Sequence, residues 1–165
     1  MNNKEIRFEK VAEKDAGTLY SLIIEMATYE KDLDEVRTSE EKIKNTICNQ
    51  SCAEAFLGYC DDTAVCYMIY FYTYSSYLGK QSVYIEDIYI KPEYRKFGIG
   101  KKLLSLAAKI AVEKNCDRLD WTCLDWNKNA IEFYKHMGAT HLENRYYFRA
   151  EGDKLIKIAN YYTQG

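Results

Sequence analysis

Arg95-Lys96-Phe97-Gly98-Ile99-Gly100 is the stretch that decides the fold, because a strand pattern gives way there to a long amphipathic helix. Residues 83–90 are rich in β-branched and aromatic side chains, whereas residues 101–114 carry Leu103, Leu104, Ala107, Ala108, Ala111 and Val112 at helical spacing. The expected order is strand, glycine turn, helix. A helix start leaves several N–H groups unpaired and carries partial positive charge, and Gly98 and Gly100 let an anion approach without meeting a Cβ. Either this is a phosphate loop or it is a glycine-rich turn that only caps a helix. Two common phosphate motifs are excluded. A dinucleotide fingerprint needs a third glycine where Leu103 stands, and a P-loop needs an earlier glycine and a Ser or Thr where Lys102 follows Lys101. The pattern that remains is Arg-x-x-Gly-x-Gly.

Upstream of this stretch, residues 5–10 alternate as a first strand, and Asp15 can cap a helix whose apolar stripe is Leu19, Leu22, Ile23 and Met26. Thr38 with Glu41 makes a capping-box signature for a second helix carrying Ile43 and Ile47. Asp61-Asp62 reads as the turn between strands 53–59 and 64–74. Downstream, residues 118–123 form a buried strand candidate, residues 127–136 a helix with Ile131, Phe133 and Tyr134 near one face, and Gly138 its C-cap. Residues 146–159 read as a last hairpin turned at Glu151-Gly152-Asp153. Strand, helix, strand, helix from residue 83 onward implies a parallel crossover, with antiparallel strands on the other side.

This context resembles the GNAT superfamily of acetyl-CoA-dependent N-acetyltransferases, whose pyrophosphate loop has the form Arg/Gln-x-x-Gly-x-Gly/Ala. Glu86-Asp87-Ile88-Tyr89-Ile90, Leu78-Gly79-Lys80, Trp126-Asn127, Ile131-Glu132-Phe133-Tyr134-Lys135, Gly138-Ala139 and Tyr29-Glu30 are similar to the diamine (spermidine/spermine) and thialysine acetyltransferase branch. The likeness covers almost the whole chain. It implies an α/β (α+β) fold: a mixed, mostly antiparallel twisted sheet flanked by about four helices, with a parallel strand-helix-strand at the acetyl-CoA site. It departs from the mammalian polyamine enzymes at Tyr77-Leu78-Gly79-Lys80, where they have Trp-Ile-Gly-Lys, and at Lys96, where their loop carries an extra glycine.

The implied reaction is direct transfer of an acetyl group from acetyl-CoA to a primary amine of a small cationic substrate, a diamine, polyamine or thialysine-like compound. An alkylammonium with pKa near ~10.4 is almost wholly charged at pH 7, a deficit of about 4 to 5 kcal/mol for the neutral nucleophile. A base or water relay must help. Glu86 is the first choice of base, directly or through water, and the resemblance places Tyr134 as general acid beside the cofactor sulfur. Without the resemblance, Glu86 and Asp87 would be strand-end carboxylates and Tyr134 an aromatic on a core stripe. The resemblance further implies that the backbone of Ile88, Tyr89 and Ile90 holds the pantetheine arm. It gives the pyrophosphate to Arg95, Lys96, Phe97, Gly98, Ile99, Gly100 and Lys101, and the lower arm to Asn127 and Ala130. Tyr29 and Glu30, with Glu86 and Asp87, would form an acidic channel for a cation. A protein or antibiotic amine as acceptor, or a non-catalytic acyl-CoA sensor, are the other readings.

A chain of 165 residues with one proline and no linker-like tract fits a single domain. A net charge of −2, from interleaved acids and bases, argues against nucleic acid or an anionic membrane as partner. No apolar run approaches the ~20 residues of a membrane span and no export signal opens the chain, so cytoplasmic residence is expected. The six cysteines, Cys48, Cys52, Cys60, Cys66, Cys116 and Cys123, read as reduced thiols; their spacing to His136 and His141 matches no zinc module, and no metal is expected. Most of the sixteen tyrosines read as structural, with one or two lining a cleft. A homodimer is expected from the family and the aromatic load.

Overall fold

The computed structural model describes residues 5–162, and the chain divides into two compact units, residues 1–124 and 125–165. In the first unit five strands form one sheet in sequence order: β1 (Ile6–Lys10), β2 (Glu54–Cys60), β3 (Thr63–Ser75), β4 (Lys80–Ile90) and β5 (Leu119–Trp121). The first four are antiparallel, and β4 pairs with β5 in parallel. The helix α3 (Ile99–Glu113) bridges that parallel step. This is the mixed, mostly antiparallel α/β sheet that the family resemblance implies, with the parallel crossover that the strand-turn-helix pattern predicts.

Alternation along the strands divides the core. Leu57, Ile69, Tyr67 and Tyr89 are buried together with Leu19 and Leu22 of α1 (Ala16–Glu30) and Ile43 of α2 (Glu40–Ile43). Cys66 and Met68, on the other pleat of β3, are fully buried too, and α3 lays its stripe of Leu103, Leu104, Ala107 and Ala111 against β4. Each fully buried leucine contributes about 1.5–3 kcal/mol. Gly58 of β2 is required by close approach: a Cβ there would sit 2.9 Å from the Phe8 ring and closer still to Cys66 Sγ.

Several local expectations need correction. Ser39, not Thr38, caps the second helix, its hydroxyl accepting the Lys42 amide at 3.2 Å. Both residues suit the role, and only the extended backbone at Ser39 decides between them. Beyond Ile43 the helix widens into a π-helical stretch, Lys44–Asn49. Asp15 stands at the start of α1, but its carboxylate accepts the Ala12 amide at 3.0 Å rather than one from its own helix. The strand expected over 118–123 is three residues long and half-buried, because its pairing stops at Ile85↔Trp121.

In the second unit α4 (Lys128–His136) is capped by Asn127, whose Oδ1 accepts the Ala130 amide at 3.3 Å. Gly138 ends it at φ +90°, its amide bonded to Lys135 O at 3.0 Å. The hairpin expected over 146–159 is absent among the described residues. Residues 146–150 have no strand partner there, and Gly152, at φ +53°, opens a short helix α5 (Asp153–Ala159) by accepting the Leu155 and Ile156 amides. Asp153 in the first turn suits the positive helix end. Tyr146, Tyr147, Phe148, Leu155, Ile156 and Tyr161 are all exposed.

Candidate active site

The loop after β4 has the geometry of an anion cradle. A single 3₁₀ turn (Pro92–Tyr94) leads into Arg95, and Gly98 adopts φ +79°, ψ 2° at the start of α3 with open space where its Cβ would be. The first intrahelical bond runs from Lys102 N to Gly98 O at 3.1 Å, so the Ile99, Gly100 and Lys101 amides precede the ladder at the positive end of the helix. Ile99 is buried, so its contribution to the loop is its backbone; Phe97 and Lys101 are exposed. Lys96 holds φ +69°, in the left-handed region that glycine occupies freely.

Just upstream, β4 changes its pairing. Ile85 opposes Tyr70 and Asp87 opposes Ile69, so Glu86 is the extra residue of a β-bulge. The ladder to β5 also ends at Ile85, leaving 86–90 paired with β3 alone among the described strands. That leaves one backbone edge of Ile88, Tyr89 and Ile90 without a strand neighbour. The bulge removes strict alternation at Glu86-Asp87. Glu86 is exposed and Asp87 half-buried.

The last turn of α1 supplies the rest. Lys31 in the left-handed region sends its amide back to Ala27 and Thr28 carbonyls, and this stops the helix immediately after Tyr29 and Glu30. Burial pushes the Glu30 carboxyl up from its ordinary value, with Asp32 adding to it. Burial likewise pushes Asp87 up to about 7, aided by the negative charges of Glu86 and Glu30, while a hydrogen bond from Tyr67 opposes the shift. Glu30, Glu86 and Asp87 therefore share one negative neighbourhood, at the negative pole of α1. The Tyr67 hydroxyl lies 3.4 Å from Asp87 Oδ2 and 3.2 Å from Met26 Sδ. Beside them, Cys123 is held protonated by burial and by Glu30.

Tyr67, Glu25 and Lys91 were not among the expected site residues. Lys91 Nζ is 2.9 Å from Glu25 Oε1, and the Tyr89 hydroxyl is 3.4 Å from Glu25 Oε2. The period-2 placement of Tyr67 and Tyr89 was the only signal of their shared face. Arg95 donates Nε to Ile90 O at 2.9 Å and stacks 4.3 Å over the Tyr29 ring. Asn127, Ala130 and Tyr134 lie in the second unit, on or at the cap of α4, with the Tyr134 ring 5.3 Å from Phe133.

Residues 18–139 match the Acetyltransferase (GNAT) family. The chain belongs to that family. This acetyltransferase is 36% identical over 166 residues to the thialysine N-epsilon-acetyltransferase of Bos taurus, covering 93% of this chain and 97% of that one. It is 44% identical over 92 residues to the L-ornithine N5-acetyltransferase NATA1 of Arabidopsis thaliana, across 56% of this chain and 40% of that protein. An integron cassette protein from the mobile metagenome of V. cholerae has a solved structure like this one. Its TM-score is 0.79 at 26% identity, covering 93% of this acetyltransferase and 97% of that chain.

Proposed function

We propose that this acetyltransferase moves an acetyl group from acetyl-CoA directly to the primary amine of a small cationic acceptor, a diamine, polyamine or thialysine-like amino acid. The observation that carries the reading is the gathering of Glu30, Glu86 and Asp87 at the end of α1 and the β4 bulge. Three carboxylates and a helix C-terminus disfavour their own charge and favour a cation. The names of the relatives support it: thialysine and ornithine each carry a terminal amine.

The residues present fit acetyl-CoA. The Gly98 turn, the amides at the start of α3 and the cations Arg95, Lys96 and Lys101 suit its pyrophosphate. The backbone edge of Ile88, Tyr89 and Ile90 suits its amide-bearing arm, and the family resemblance gives Asn127 and Ala130 the lower arm. Bound there, it supplies an activated thioester. Tyr29, Glu30 and Asp87 hold the cationic acceptor, exposed Glu86 takes the ammonium proton through water, and Tyr134 returns a proton to the leaving sulfur. Positioning supplies much of the rate, since oriented partners reach effective molarities of ~10⁵ M or more.

We further propose that the chain acts as one catalytic domain, cytoplasmic and with reduced cysteines, without nucleic acid or membrane as partner. The six thiols are free, and among the described residues no helix is long and apolar enough to cross a membrane. A homodimer is supported by the exposed apolar side chains of the 146–162 segment. Incubation with acetyl-CoA and putrescine, spermidine, thialysine, lysine or an aminoglycoside, with products read by mass spectrometry, tests the assignment. Acetylation of a diamine, polyamine or thialysine is expected. Acetylation of the aminoglycoside alone, or binding of acetyl-CoA without any product, would overturn it.

A further inference from the structure

Arg95 belongs by sequence to the phosphate loop, yet its side chain is turned toward the acceptor side. Its Nε donates to the Ile90 carbonyl at 2.9 Å, its guanidinium carbon lies 4.3 Å over the Tyr29 ring, and the Tyr89 ring is 5.9 Å away. Residues 91 and 95 thus tie the loop to α1 twice, through Lys91 to Glu25 and through Arg95 to Tyr29. Tyr29 sits beside Glu30 in the turn where α1 stops, so whatever orients the ring also orients that end of the helix.

We propose that Arg95 is a positioning residue for the acceptor amine, acting through the face of Tyr29, and that the phosphate loop and acceptor site are coupled through this stack. The inference rests on reading the acidic cluster as the acceptor site. A planar guanidinium stacks through its face while bonding through its edge, so one side chain can serve a ring, a carbonyl and an anion together. Lysine keeps the positive charge for phosphate but has neither the flat face nor the fork. Arg95→Lys therefore separates the two roles, and Tyr29→Leu removes the same stack from the other side.

The test is steady-state kinetics with the amine varied at saturating acetyl-CoA, alongside acetyl-CoA Kd by calorimetry, on Arg95→Lys, Tyr29→Leu and the double variant. Each single change is expected to raise the amine KM about three- to tenfold, with acetyl-CoA Kd moved less than twofold in Arg95→Lys. The double variant is expected to match the worse single within about twofold, because both remove one interaction. Singles that multiply in the double variant would overturn the proposal, as would an Arg95→Lys change that weakens acetyl-CoA as much as the amine. Wild-type protein that acetylates no amine would fell the acceptor-site reading itself, whereas an active Arg95→Lys with unmoved amine KM would fell only this coupling.

Discussion

Asp87→Asn should stabilise this protein at neutral and alkaline pH and change little in acid. In the unfolded chain Asp87 titrates at its ordinary 3.8, and in the fold at about 7, chiefly because burial disfavours the carboxylate and then because Glu86 and Glu30 repel it. Between those values the folded protein holds a proton that the unfolded chain has lost, so stability falls as pH rises from about 4 to about 7 and then levels off. Three units would correspond to about 4 kcal/mol, and since Asp87 is only half-buried, screening reduces the expected penalty to about 1–3 kcal/mol. Tyr67 can serve either state. Its single hydroxyl hydrogen can bond an ionised Asp87 at 3.4 Å, or it can turn to Met26 Sδ at 3.2 Å and let a protonated Asp87 donate to it. An amide at position 87 keeps a partner for that hydroxyl and cannot ionise. Urea unfolding at pH 3.5 and pH 8 should show nearly equal stabilities in acid and a gain of about 1–3 kcal/mol at pH 8, a rise of roughly 2–12 °C in Tm. A variant no more stable than wild type at pH 8, or one with the same difference at both pH values, would refute this account of the cluster.

The remaining predictions follow from the same geometry. A cationic amine bound among Glu30, Glu86 and Asp87 lowers the Asp87 pKa, so binding at pH 7 should release about half a proton, read from the buffer dependence of calorimetric enthalpy, and the amine KM should fall from pH 6 to 8. Buffer-independent enthalpies would count against it. Gly58→Ala forces a methyl group against Cys66 Sγ and the Phe8 ring and should cost about 1–3 kcal/mol in chemical denaturation; a neutral change would mean that the β2 bulge absorbs it. Cys123→Ser should leave turnover intact, because burial and Glu30 keep that thiol protonated and a poor nucleophile; a dead variant would indicate an acetyl-enzyme route.

What the sequence makes legible here is periodicity and glycine punctuation. The β-branched and aromatic run of residues 83–90 and the helical spacing after Gly98 located β4, the loop and α3, and the Asp61-Asp62 turn located the hairpin of β2 and β3. Tyr29, Glu30, Glu86 and Asp87 are legible as site candidates only through the resemblance; the structure adds that the charges of Glu30 and Glu86 act on Asp87. The partners were illegible because they depend on register. Whether Tyr67 meets Asp87, or Glu25 meets Lys91, follows from which residues oppose each other across β3, β4 and α1, and a one-residue bulge at Glu86 changes that without any mark in the composition. The end of the chain misled for another reason. Tyr146, Tyr147 and Phe148 look like a strand, but a strand exists only with a partner, and the helix-forming Lys154-Leu155-Ile156-Lys157 run had the local bonds of Gly152 to start it.

The central claim is that three carboxylates select a cation as acetyl acceptor. It is tested most directly by comparing kcat/KM for a diamine with that for a monoamine of equal length that lacks the second charge, in wild type and in Glu30→Gln. The account predicts at least a tenfold preference for the diamine in wild type and a clear narrowing of that ratio in Glu30→Gln, with acetyl-CoA KM unchanged. Equal efficiency for both amines in the wild type would contradict it.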